Sequence, residues 1–117
     1  MPTLTELEAS LIRYNEIGFS EINELSEAQG ILFLCPLCFI NNNGAIGTHS
    51  VLISFANRGV TDEQGSKNSS GQPSRWNIIG GTGLNDLQLS PSINLDISDC
   101  KWHGFIGNSG VHAGHAN

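Results

Sequence analysis

Basic residues are scarce in this sequence. Its 117 residues hold five Lys and Arg against eleven Asp and Glu, a formal net charge of −6. Phosphate backbones are held by clustered cations, so a nucleic-acid partner is disfavoured from the outset. Long hydrophobic runs are missing too: no stretch approaches the ~20 apolar residues of a membrane span. The start, Met1-Pro2-Thr3-Leu4-Thr5, has neither the basic residues nor the apolar run of a signal peptide. A cytoplasmic protein with no membrane partner is expected. Apolar residues (38%) and charged residues (14%) both fall below the usual share. Fourteen glycines and many Asn and Ser take their place, so the chain should be rich in turns, with a length suited to one domain. Only three cysteines are present. An odd number cannot pair completely within one chain, and a reducing compartment disfavours disulfides, which makes metal binding the first reading.

The acid is unevenly placed. Glu6, Glu8, Glu16, Glu21, Glu24 and Glu27 all precede Gly30, where Arg13 is the one basic residue. Thr3 followed by Glu6 forms a capping-box pattern, and Leu4, Leu7, Leu11 and Ile12 recur at helical spacing. Together they predict a helix from about Leu4 to Asn15, with a second helical turn over Ser20 to Ala28. Strands are expected at Ile31–Leu34 and Ser50–Phe55, as a hairpin, and at Trp76–Ile79, Leu87–Leu89 and Ile93–Ile97. Thr61 to Ser74 reads as a long exposed loop and the tail from Gly107 as frayed. The expected fold class is α+β: a helical segment over residues 1–29, a mostly antiparallel core over 30–108, and a flexible end over 109–117.

Cys35-Pro36-Leu37-Cys38 and Cys100-Lys101-Trp102-His103 are two pairs with two residues between the ligating positions. Such a turn lets both side chains converge on one ion, and two of them fill the four tetrahedral positions of structural Zn²⁺. Cys35, Cys38, Cys100 and His103 are therefore the expected zinc ligands, with the ion stapling the first strand region to the last. Without metal, the cysteines would be small buried hydrophobes. A filled four-ligand site has no open position for water, so chemistry would have to come from other residues.

Cys35-Pro36-Leu37-Cys38-Phe39, Gly47-Thr48-His49, Arg75-Trp76, Gly81-Thr82-Gly83-Leu84-Asn85-Asp86-Leu87, Leu89-Ser90-Pro91-Ser92-Ile93 and Cys100-Lys101-Trp102-His103-Gly104-Phe105-Ile106 together resemble a signature. It is that of a small bacterial and phage family long classed as a domain of unknown function. The resemblance runs from about Gly30 to Asn108. The acidic segment before it, the Asn-rich loop and the His-containing tail are not part of the pattern. Some relatives sit in bacterial operons for conjugating ubiquitin-like proteins, where a peptidase or deconjugase role has been suggested. The resemblance thus implies a zinc-stapled domain and a hydrolase.

Serine hydrolysis needs a nucleophile, a base, a group to orient the base and donors for an oxyanion. Ser90 and Ser92 flank Pro91; Ser92 is preferred because it would stand at the exposed start of a strand beginning at Ile93. His49 is the histidine left near the expected core for the base once His103 is given to the metal. Asp86 could orient it, and Gly80, Gly81 and Gly83 could bare oxyanion donors. Each also has a plain structural role as a turn, cap or hydrogen-bonded residue. The expectation is a zinc-stabilised serine-type peptidase or esterase with a ubiquitin-like or other protein substrate. The alternatives are a non-catalytic zinc-binding module that binds a host factor through its acidic helix, and, last, a redox-sensing thiol site.

Overall fold

Thr3 opens the first turn with the reciprocal bonds its sequence predicts: its N–H donates to Glu6 Oε1 at 3.0 Å and its Oγ1 accepts from the Glu6 N–H at 3.1 Å. The turn goes no further. Glu8 adopts φ +56°, the Ala9 N–H reaches back to the Leu4 carbonyl, and the Glu8 N–H bonds that of Thr5. This is the paired closure that ends a helix, applied after a single turn. The computed structural model describes residues 3–56, 58–65, 67, 71–90, 93–94, 102–107 and 110–113, and it overturns the α+β expectation. The described residues are mostly β-strand, with one short α-helix and two 3-10 turns. There is no N-terminal helix over Leu4–Asn15. Leu4 and Leu7 are buried from the turn and Leu11 from strand β1 (Ser10–Asn15), so their helical spacing is met by a turn and a strand together.

Strand β1 folds back on β2 (Gly18–Ile22), with the Asn15 Oδ1 accepting the Ile17 N–H in the turn between them. The expected second helical turn shrinks to a 3-10 turn over Leu25–Glu27, with Ser20–Ile22 in β2 instead. Strands β3 (Gly30–Leu34) and β4 (Ser50–Ser54) form the expected antiparallel pair, joined through helix α1 (Pro36–Asn41). The sheet order is β2-β1-β3-β4. Ile31 stands between Leu11 and Ile53 on its core face. On the opposite face Gly30 lies between Ile12 and Ser54. There is no room there for a side chain, since a Cβ on Gly30 would lie 2.5 Å from the Ile53 carbonyl oxygen.

After β4 the chain leaves for a long loop and returns at Trp76, whose N–H donates to the Ser54 carbonyl and whose carbonyl accepts from Ala56. Two arginines moor the loop. One Arg58 Nη1 donates to the carbonyls of Leu25, Ser26 and Ala28, and Arg75 faces Asp62 at 3.6 Å. The second half holds β5 (Asn77–Gly80) paired with β6 (Gln88–Ser90), and the sheet β7 (Ile93–Asn94), β8 (His103–Gly107), β9 (Gly110–Ala113). Where a frayed tail was expected, Gly110–Ala113 pairs with β8 and Val111 is buried opposite Ile106. One apolar cluster joins both halves: Leu4, Leu7, Leu11, Ile31, Phe33 and Ile53 meet Leu87, Leu89, Ile93, Trp102, Ile106 and Val111. Among the described residues no helix is long and apolar enough to cross a membrane.

Gly30→Ala should therefore destabilise the protein by about 1–3 kcal/mol, because backbone rather than a flexible side chain must give way. Gly83→Ala, at an extended residue where a Cβ meets nothing within 4 Å, should be nearly neutral. Urea denaturation of both variants checks this, and equal midpoints would refute the steric account of β3.

Candidate metal centre

Strand β3 delivers Cys35 to the start of α1, where it takes the position before the first helical residue with an extended backbone. Pro36 follows at a position that needs no N–H donor and has the φ that proline fixes. One helical turn then carries Cys38 round to the side of Cys35, and the Phe39 N–H closes it on the Cys35 carbonyl at 2.9 Å. The helix ends at once. Asn43 adopts φ +54°, with Asn43 N–H on the Ile40 carbonyl and Gly44 N–H on that of Phe39, the same closure used at Glu8. Thr48 then folds the loop: its Oγ1 donates to the Gly44 carbonyl at 2.7 Å and accepts from Asn42 Nδ2 at 3.2 Å. These bonds return the chain so that the Cys35 N–H donates to the His49 carbonyl at 2.9 Å, one step before the β3–β4 ladder begins.

The result is a group of Cys35, Cys38 and His49 whose ligand atoms all lie within 4.8 Å of one another. Tetrahedral bond lengths place sulfur ligands of one zinc-sized ion about 3.8 Å apart, so a small contraction suffices to grip an ion. Cys35 is fully buried, Cys38 and His49 are half-buried, and neither cysteine forms a disulfide among the described residues. The Nε2 of His49 is buried with no hydrogen-bond partner. A bare buried imidazole nitrogen costs free energy unless something binds it, and an ion held by the two sulfurs would. The group can hold a metal ion.

The residues expected at the sites are distributed differently. Cys35 and Cys38 stand together as anticipated, whereas His103 is exposed on β8 and is not in their group. Cys100 and Ser92 lie outside the described residues. His49, expected as a catalytic base, is the third member of the metal group. The Asp86 carboxylate is turned to its own loop, accepting from Thr82 N–H at 2.9 Å, Gly83 N–H at 2.9 Å and Thr82 Oγ1 at 3.0 Å. Those bonds, the Thr82 N–H first, hold its carboxyl below the ordinary value. They also occupy the Gly83 amide that was expected to bind an oxyanion. Gly81 is required there by packing, since at φ +108° its Cβ would lie 2.6 Å from the Asp86 carbonyl oxygen. Ser90 is half-buried in β6 opposite Asn77. The role of His49 was encoded in Gly47-Thr48-His49, which brings a histidine to the start of a strand just after a Cys-x-x-Cys turn.

Compared with protein-family models, curated proteins and solved structures, the chain finds no match in any of the three.

Metal analysis of the purified protein should give about one ion per chain. Cys35→Ser, Cys38→Ser and His49→Ala should each lose it and lower stability steeply, while His103→Ala keeps it. A full ion content in the His49→Ala protein would remove His49 from the site. Asp86 generates a second expectation. A carboxyl held below its ordinary value favours folding above about pH 4, and that contribution disappears as pH falls through its folded-state value. Asp86→Asn should thus lower the melting temperature at pH 6, and the gap from wild type should narrow as pH falls below about 4. A gap that persists there would mean packing, not ionised hydrogen bonds, sets the effect.

Proposed function

We propose that this protein is a zinc-stapled serine hydrolase, a peptidase or esterase, whose zinc is structural. Two thiolates and an imidazole form a borderline-soft donor set that suits Zn²⁺. For the fourth ligand we assign Cys100. Trp102, two residues beyond it, packs edge-on against Phe33 at 6.4 Å, and Phe33 is two residues before Cys35. That contact, between two rings each two positions from a cysteine in the sequence, supports the assignment. Zinc bound by four side chains polarises no substrate and serves to hold the ends of the fold.

The observation that carries the hydrolase reading is the position of His103. It is exposed on β8, directly opposite Asn94 of β7, and Ser92 precedes β7 by one residue in the sequence. With His49 beside the cysteines, His103 replaces it as the base. In the proposed reaction Ser92 Oγ attacks the substrate carbonyl and His103 takes the hydroxyl proton. It then passes that proton to the leaving group, and water releases the acyl group by the reverse sequence. The resemblance to a family of which some relatives sit beside ubiquitin-like conjugation genes supports the extended C-terminal tail of a ubiquitin-like protein as the substrate.

A fluorophosphonate probe should label one serine, Ser92. Ser92→Ala and His103→Ala should each cut labelling by at least a hundredfold while metal content and melting temperature stay near wild type. Folded, metal-loaded protein that takes no label would overturn the hydrolase and leave a non-catalytic zinc-binding module.

A further inference from the structure

Strand β2 is an edge of the four-stranded sheet, and its free side is well defined. The Tyr14 N–H donates to Gln29 Oε1 at 2.9 Å and the Ile12 carbonyl accepts from the Gln29 N–H at 2.8 Å, so both residues aim their backbone groups toward β3. Phe19 and Glu21 are their partners on β2. Antiparallel ladders alternate, so Phe19 and Glu21 aim their own N–H and C=O groups away from β1. Those groups have no partner among the described residues. The strand carries neither of the guards that usually blunt an edge, a lysine or a proline.

On the Phe19 side of the sheet, Tyr14, Phe19 and Leu52 line a groove of about 330 Å³ whose rim includes Glu16 and Glu63 and, among the described residues, no basic one. Phe19 is 43% exposed and Ile17, in the adjoining turn, 97% exposed. The described arginines are engaged elsewhere: Arg13 donates to the Glu27 carbonyl, Arg58 to the carbonyls of Leu25, Ser26 and Ala28, and Arg75 faces Asp62. A second copy of the chain is a poor occupant, because it would bring its own Glu21 edge to this one with a net charge of −6 on each molecule.

We propose that the outer edge of β2 takes up an extended basic peptide segment of another protein as a fifth, antiparallel strand. Phe19 and Glu21 supply the main-chain hydrogen bonds. Side chains two apart on the incoming strand share a face, so the segment should place an apolar residue opposite Phe19 and Lys or Arg opposite Glu21. Main-chain bonds then give affinity, and the groove and carboxylates give selectivity. This surface is independent of the hydrolase reading.

The probe is the blocked peptide Thr-Lys-Thr-Val-Thr-Lys-Thr, titrated into the full chain and followed by amide NMR shifts. Shifts should concentrate at Phe19 and Glu21, and binding should weaken as salt is raised. Replacing both lysines by glutamates, or N-methylating the valine, should each weaken binding at least tenfold. N-methylating the two central threonines, whose N–H groups face away from β2 in this register, should change it less than twofold. The Phe19→Thr variant, folded by its amide spectrum, should lose binding. Shifts centred elsewhere, absence of binding by the unmodified peptide, or indifference to the valine N-methyl group would overturn the proposal.

Discussion

The bond from the Cys35 N–H to the His49 carbonyl is the junction on which the arrangement depends. It extends the β3–β4 ladder by one step past Leu34, so the same register that pairs Ile31 with Ile53 sets Cys35 beside His49. A slip of one residue would send every side chain of β4 to the opposite face and part the histidine from the sulfurs. The metal group is thus a product of strand register. Gly30 fixes that register at the other end, where close approach of the Ile53 carbonyl admits only hydrogen on its Cα.

Between those two points the chain makes an excursion of one short helix and a loop, and each of its bonds shortens the path back. Asn43 takes the left-handed conformation that ends α1, and Thr48 ties the loop to Gly44. The cysteine turn alone would present two ligands. The return to β4 adds the third and buries its Nε2 away from water. Polar burial of this kind carries a cost that a bound ion would remove, and such an ion would couple the site to the fold.

The edge strand and the metal group lie on the two flanks of β3 and show how one sheet serves different ends. Across β4 the ladder is carried on through Phe55 and Trp76 into the second half of the chain. Across β1 it ends, among the described residues, at β2, beside an acidic rim. The acidic N-terminal stretch therefore decorates an open β edge, where a charged helical face had been expected.

The sequence by itself determined strands over Ile31–Leu34, Ser50–Phe55, Trp76–Ile79 and Leu87–Leu89, each within a residue of β3, β4, β5 and β6, because short apolar runs bounded by Gly, Asn and Pro leave little else to form. It also determined the Cys-x-x-Cys turn, a local geometry that two residues and a proline set unaided. The N-terminal segment was misleading because its capping box is real and local, whereas the strand that follows is stabilised by pairing with β3, a partner reached through long-range contact. Likewise, spacing matched Cys100 to His103, but side chains alternate along β8, leaving Gly104 and Ile106 buried and His103 exposed. Only the tertiary structure decided that His49 joins the cysteines. A third ligand is chosen by which strand lies alongside, and register between distant segments is not written in the spacing of either one.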